Sequence, residues 1–160
     1  MEISQRTASL GDAVTLLEWR NHPTVRKFST NSEIITRERH LVWLSNRLQR
    51  LELEPFFVYS LESRMVGMSR LDIRSDSADS YEISILVDPS QHGKGFGTRI
   101  VDMTCISFFN VFPSANLVAR VHEDNFVSKK LFLKTGFELL SLEKNYLFYE
   151  KSLKLGQVFL

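Results

Sequence analysis

The stretch Val87-Asp-Pro-Ser-Gln-His-Gly-Lys-Gly-Phe-Gly-Thr-Arg-Ile100 constrains this chain more than any other. An apolar run rich in β-branched residues (Ile83, Ile85, Leu86, Val87) reads as a strand and is cut by Asp88-Pro89. Glycines then recur at alternate positions, Gly93, Gly95 and Gly97, before a long helical segment. A strand that enters a helix through such backbone gathers free N–H groups at the helix's positive end, where phosphate oxygens are favoured. Glycine lets that backbone approach a pyrophosphate closely, and Lys94 adds a charge. The spacing is neither the dinucleotide G-x-G-x-x-G nor the phosphate loop that closes on G-K-[ST]. A flexible strand-to-helix turn with no ligand is the alternative reading.

The rest of the chain suits a globular domain around that turn. Its 160 residues, 43% of them hydrophobic and 24% charged, are enough to bury a core. No repeat, low-complexity tract or linker divides them, so one domain spanning 1–160 is expected. A net charge of +1 gives no broad attraction to nucleic acid or to an anionic membrane. No signal peptide or membrane-length apolar run is present, so a cytoplasmic protein is expected. The single cysteine, Cys105, excludes an internal disulfide and a cysteine-based zinc site, and no metal is expected. Its apolar helical surroundings suggest an inert buried thiol.

Periodicity supplies the elements. Ile3 to Ala8 reads as a strand, and a helix opens at Gly11-Asp12 and runs to about Arg20, where Asn21-His22-Pro23 ends it. Leu10, Ala13, Val14 and Leu17 share one face of that helix, which directs Trp19 away from the core. An irregular segment follows to Ile35, then a helix from Thr36 to about Arg50 with a leucine stripe. Phe56–Leu61 and Met65–Ile73 read as a hairpin, and Ser80–Val87 as the strand feeding the glycine loop. A nearly all-apolar helix from about Gly97 to Phe112 should pack deep against the sheet. Leu117–His122 is a strand, Asn125–Lys134 a helix with Gly136 as its C-cap, and Phe137–Ser141 with Tyr146–Leu153 a closing pair. The order β-α-α-β-β-β-α-β-α-β-β describes a mixed α/β sheet with helices on both faces.

Two motifs in that order resemble the GCN5-related N-acetyltransferases. Their [QR]-x-x-G-x-[GA] loop, which holds the pyrophosphate of coenzyme A on backbone N–H groups, is matched by His92-Gly93-Lys94-Gly95-Phe96-Gly97, with His92 in place of Gln or Arg. Their N-x-x-[AS]-x-x-[LI]-[YF]-x-[KR]-x-G-F signature is matched by Asn125, Ser128, Leu131, Phe132, Lys134, Gly136 and Phe137. The resemblance implies acetyl-CoA as cosubstrate. It assigns Leu86 and Val87, His92 to Thr98, Asn125, Ser128, Lys130 and Phe132 to the coenzyme site, with Lys129 or Lys130 near its 3′-phosphate. The N-terminal pattern Trp19-Arg20-Asn21-His22-Pro23, Val25-Arg26-Lys27, Ile35 and His40-Leu41 is similar to the nucleotide-sugar N-acetyltransferases of pseudaminic acid biosynthesis. Those enzymes acetylate the 4-amino group of a UDP-linked amino sugar. Enzymes that acetylate ribosomal protein N-termini or polyamines share parts of that pattern.

Acetyl transfer needs an amine that has lost its proton, and Glu82 is the first candidate to take it. Strand alternation puts Glu82 with Ser84 and Leu86, opposite Tyr81, Ile83 and Ile85. A solvated edge position or an internal ion pair are its alternative roles. His122, at the end of the next strand, is the reserve base, or else a surface residue. A backbone N–H of Leu86-Val87 would meet the acetyl oxygen if Asp88-Pro89 splays the strand. Many relatives carry a tyrosine acid where this chain has Phe132; Tyr146, Tyr149 or water are the substitutes. A thiol pKa of about 8.5 leaves departure of the bare thiolate open near neutral pH. Trp19, Arg20, Asn21, Arg26 and His40 form the candidate acceptor wall, the aromatic to stack on a ring and the arginines to grip a diphosphate. Trp19 packed on a loop, or on a second copy in a homodimer, and solvated arginines are the competing readings, while Trp43 reads as structural. A non-catalytic acyl-CoA-binding module stays open as a different class of function.

Overall fold

The computed structural model describes residues 2–77 and 79–154. Seven strands form one sheet in the spatial order β1-β2-β3-β4-β5-β7-β6. They are β1 Ile3–Thr7, β2 Phe56–Leu61, β3 Arg64–Ile73, β4 Ser80–Val87, β5 Asn116–His122, β6 Glu138–Glu143 and β7 Tyr146–Ser152. The helices are α1 Ala13–Asn21, α2 Pro23–Arg26, α3 Arg37–Leu48, α4 Phe96–Val111 and α5 Phe126–Lys134. The mixed sheet with helices on both faces is as the pattern predicts. The short α2, capped by the His22 side chain on the Thr24 N–H, fills part of the segment expected to be irregular. A proline at its first position presets the helical φ.

Alternation along β2 shows how the layers divide. Phe56 and Val58 pack with Ala13, Leu16 and Leu44, so α1 and α3 cover one face. Tyr59 turns to the other face and packs with Val66, Phe96 and Ile100 of the α4 side. The larger core gathers Tyr81, Ile83, Val101, Phe108, Phe109, Leu117, Phe132 and Phe137 under α4 and α5. At Gly67, α4 packs so tightly on β3 that a Cβ would lie 2.4 Å from Ile100 Cδ1 and 2.8 Å from the Leu86 carbonyl oxygen. Cys105 lies in this core, and burial pushes its thiol up to about 11.

Around α1 the expected phase is corrected. Ala13, Leu16 and Trp19 are buried, whereas Leu10 and Val14 are exposed. Leu10–Asp12 form a 3₁₀ turn, whose ~120° per residue carries the chain into the helix at a different rotation from ~100°. A stripe counted from Leu10 at α-helical spacing therefore selects the wrong face. Asp12 anchors that turn: its buried carboxylate accepts two bonds from Arg6 (2.9 and 2.6 Å) and one from the Ser9 N–H (2.8 Å).

The feature that shapes the site is a split between two parallel neighbours. β4 pairs with β3 along its whole length, Gly67↔Val87 to Ile73↔Tyr81. It pairs with β5 only through Ser80↔Asn116, Tyr81↔Leu117 and Glu82↔Val118. Beyond Val118, β5 continues against β7 alone, as far as His122↔Tyr146. The sheet thus opens into a gap after Glu82, well before the Asp88-Pro89 position expected from the sequence.

Candidate active site

Main-chain direction in the gap follows from the register. Arg74 N–H donates to the Ser80 carbonyl and Asp88 N–H to the Val66 carbonyl, both at 2.9 Å. Even-numbered residues of β4 therefore bond to β3, and the groups of Ile85 and Val87 turn toward the side that β5 has left. The Leu86 N–H, on the β3 side, is not the one that faces the gap. His92 Nε2 donates to the Val87 carbonyl at 3.1 Å, so the residue replacing the family's Gln or Arg ties the glycine loop to the strand by its side chain.

Beyond His92 the loop is set by dihedral angle. Gly93 and Gly95 hold φ of +79° and +80°, a region that disfavours side chains, and nothing lies within 4 Å of a Cβ on either. Gly95 caps α4, leaving the first-turn N–H groups of a 16-residue helix directed at the open space. This open, N–H-lined backbone fits a pyrophosphate. Across from it, Asn125 Oδ1 accepts the Ser128 N–H at 3.1 Å and starts α5.

These parts border one cavity of ≈ 1070 Å³. Leu86, Val87, His92, Gly93, Gly95, Phe96, Gly97, Thr98, Asn125, Ser128, Lys130 and Phe132 line it. Lys94 does not; its Nζ bonds Gln91 Oε1 at 2.9 Å. Lys129 donates to the Glu123 carbonyl (2.8 Å) and sits 4.2 Å from the Phe126 ring centroid. Phe132 is buried, its ring 5.1 Å from that of Phe137. Of the two tyrosines named as substitute donors, Tyr146 lines the cavity, and Tyr149 lies in the core.

Both candidate proton acceptors reach the same space. Glu82 lines the cavity and also makes an ion pair, Oε1 to Arg120 Nη2 at 3.1 Å, so two of its expected roles coincide. His122 sits between the rings of Phe28 (5.9 Å) and Tyr146 (5.4 Å). Its Nδ1 accepts the Asp124 N–H at 3.2 Å and lies 3.8 Å from Asp124 Oδ2.

On the acceptor side the expected wall is redrawn. Arg20 and His40 line the cavity, but Trp19, Asn21 and Arg26 do not. Trp19 is 7% exposed and belongs to the buried face of α1. Asn21 bonds both backbone groups of Ile35, at 2.8 and 2.9 Å. Arg26 donates to the carbonyls of Asn21 and Ser32, each at 3.1 Å. These two shape the 27–35 loop, which contributes Phe28 to the cavity. The tryptophan in the wall is Trp43, 37% exposed, with the Arg70 guanidinium 5.3 Å over its ring. Arg70 and Arg120 escaped sequence reasoning because alternate polar residues in a strand do not reveal which neighbour they meet. Among the described residues no cluster of His, Cys, Asp or Glu suits a metal, and no helix is long and apolar enough to cross a membrane.

A strand-to-helix glycine loop beside a split parallel pair defines a class of fold, and sequence comparison agrees with it. The family profile described as Acetyltransferase (GNAT) domain matches residues 5–138, and the chain belongs to that family. It is an acetyl-CoA-dependent N-acetyltransferase. No curated protein sequence matches it. Solved structures that resemble it include YncA of Salmonella typhimurium, a putative acetyltransferase with acetyl-CoA (19% identity, 98% of this chain and 96% of that one, TM-score 0.79). The ribosomal-protein-alanine N-acetyltransferase of Brucella melitensis is also similar (22%, 94% and 99%, 0.78). So is the AAC(6')-Ib structure with ribostamycin and coenzyme A (17%, 95% and 94%, 0.82).

Proposed function

We propose that this enzyme acetylates the 4-amino group of a UDP-linked amino sugar. The observation that carries the reading is the single cavity joining the glycine loop, Glu82 at the gap, and Arg20 with His40 on the α1–α3 side. A large, partly hydroxylated and anionic acceptor suits such a space better than a short amine.

Acetyl-CoA supplies an activated acetyl group and a thiolate that can leave. The loop backbone from Gly93 to Gly97 and the start of α4 hold its phosphates, with Lys130 on α5 as a further charge. The N–H of Val87 meets the developing charge on the acetyl oxygen, because β5 has left that group unpaired. Glu82 takes the proton from the acceptor amine, and Arg120 fixes the carboxylate's direction. Trp43, in place of Trp19, offers the aromatic surface for the acceptor.

A second reading keeps the chemistry and changes the acceptor: the Glu82 carboxylate in the cavity also suits a cationic amine such as a peptide N-terminus or a polyamine. Comparing kcat/KM for a UDP-4-amino sugar, a peptide with a free N-terminus and spermidine separates the two. The nucleotide sugar is expected to lead by at least about tenfold, the scale of one charge-assisted contact. A faster peptide would favour the second reading.

A further inference from the structure

Two buried side-chain nitrogens, Arg20 Nη1 and His40 Nε2, find no hydrogen-bond partner among the described residues, and the buried Arg70 Nε makes no hydrogen bond although it lies 3.1 Å from Asp72 Oδ2 in an ion pair. All three residues line the acceptor end of the cavity, one each from α1, α3 and β3. Unsatisfied buried polar atoms are uncommon, and their convergence on one space points to a ligand.

Cations predominate at this end of the cavity, and Glu82 is the carboxylate that also lines it. Arg20 bonds only a neutral carbonyl, Nη2 to Asn31 oxygen at 2.5 Å. Arg70 lies 3.1 Å from Asp72, but Asp72 is shared with Arg47 at 3.2 Å, two guanidiniums on one carboxylate. Burial, and then the charges of Arg70 and Arg26, hold the Arg20 guanidinium below its ordinary pKa, the mark of a cation short of a counter-charge. Burial lowers the His40 pKa, against a backbone bond with Ala13 that favours its protonated form. His40 Nε2 is left without a partner in a side chain that lines the cavity. Trp43 closes the wall, its ring 5.6 Å from that of His40.

We propose that Arg20 and Arg70 bind an anionic group of the acceptor, while His40 Nε2 accepts a hydrogen bond from a hydroxyl of the same molecule. The acceptor is therefore an amine that carries both a phosphate or carboxylate and a hydroxyl, and free polyamines and aminoglycosides are disfavoured. The inference rests on the reading of this cavity as the acceptor site, but it does not need a nucleotide. Arg70, His40 and Trp43 become specificity-determining residues, and Arg26 serves the loop.

The test uses wild-type enzyme first. kcat/KM is measured for a UDP-linked 4-amino sugar, for the same amino sugar as its 1-phosphate, for the unphosphorylated sugar, for serine and for spermidine. Loss of the anion is expected to lower kcat/KM about 10- to 100-fold, mainly through KM. Arg70→Gln should remove that preference while acetyl-CoA affinity by calorimetry stays within about twofold, and Arg70→Lys should restore part of it. Anion preference that disappears in Arg70→Gln supports the subsite whichever phosphate or carboxylate leads. Should serine lead, the subsite stands and the nucleotide-sugar reading fails. Equal use of charged and uncharged sugars by the wild type would overturn the subsite, even if the UDP-sugar is a substrate. So would a UDP-sugar KM that does not respond to Arg70→Gln in a variant that still binds acetyl-CoA.

Discussion

Glu82 stands where β4 loses its parallel neighbour, and its position explains how a carboxylate can occupy the interior of a sheet. The gap gives it a polar space, and Arg120 gives it a partner. Glu82→Gln keeps the shape of the side chain and removes its capacity to take a proton. We expect coenzyme affinity to hold while kcat falls by about 10²–10⁴-fold, the range for loss of a positioned general base. The deficit should narrow at high pH, where more acceptor amine is neutral unaided. A pH–rate profile identical to that of the wild type would reduce Glu82 to a structural partner of Arg120. Alternation made Glu82 legible in the sequence, because β4 is regular from Ser80 to Val87. Trp19 and Trp43 were exchanged for the opposite reason: a 3₁₀ turn before α1 shifts its phase, and the margin of the α3 stripe turned out to be cavity wall. Asn21 and Arg26 are polar residues near a site that act on a loop, a distinction visible only once Ile35 and Ser32 are located in space.

At the scale of elements, the glycine loop is the part that sequence reads best. Alternate glycines after an apolar strand marked a backbone open to close approach, and two of them hold positive φ. Because no side chain crowds Gly95, a substitution there acts through φ and through whatever approaches from the cavity. Gly95→Asp should weaken acetyl-CoA binding by at least about tenfold, since it strains the loop and sets a negative charge against phosphate. Lys94→Ala should change affinity far less, because Lys94 is engaged with Gln91 outside the cavity. Calorimetry on the two variants checks the contrast, and equal effects would contradict it. Element boundaries were found within a few residues. The exception is α2, whose four residues are too few to show a helical period. The β2–β3 turn is tighter than expected, with Glu62 and Ser63 both at positive φ between the paired Leu61 and Arg64.

For the molecule as a whole, stability toward acid should depend on the Asp12 junction, which ties the first strand to the turn before α1. Burial raises the Asp12 pKa, but the bonds from Arg6 and Ser9 outweigh it, and the net shift is downward from 3.8. A carboxylate depressed in the folded state stabilises the fold above its unfolded pKa, and the contribution is lost as pH falls through the folded value. Asp12→Asn should therefore lower Tm at pH 7, by about 1–2 kcal/mol of stability given the half-exposed Arg6, and the difference should shrink below about pH 4. Melting curves of both proteins from pH 7 to pH 3 test this, and a constant difference would exclude it. What the sequence could not reveal at this scale is spatial order. The last hairpin enters the sheet with β7 beside β5 and β6 at the edge, and no local pattern encodes that choice or the opening it helps to create.

That opening turns a wall into a window. A sheet ordinarily isolates the layers on its two faces, yet here residues from α4 and α5 behind it and from α1 and α3 in front border the same space. The coenzyme loop and the acceptor wall thus belong to separate layers of the protein and share almost no packing. On the proposed reading, changes to Arg20, His40 or Trp43 would alter acceptor choice while the loop from Gly93 to Gly97 keeps its conformation. The architecture thus separates the two ends of the cavity between layers that are packed independently.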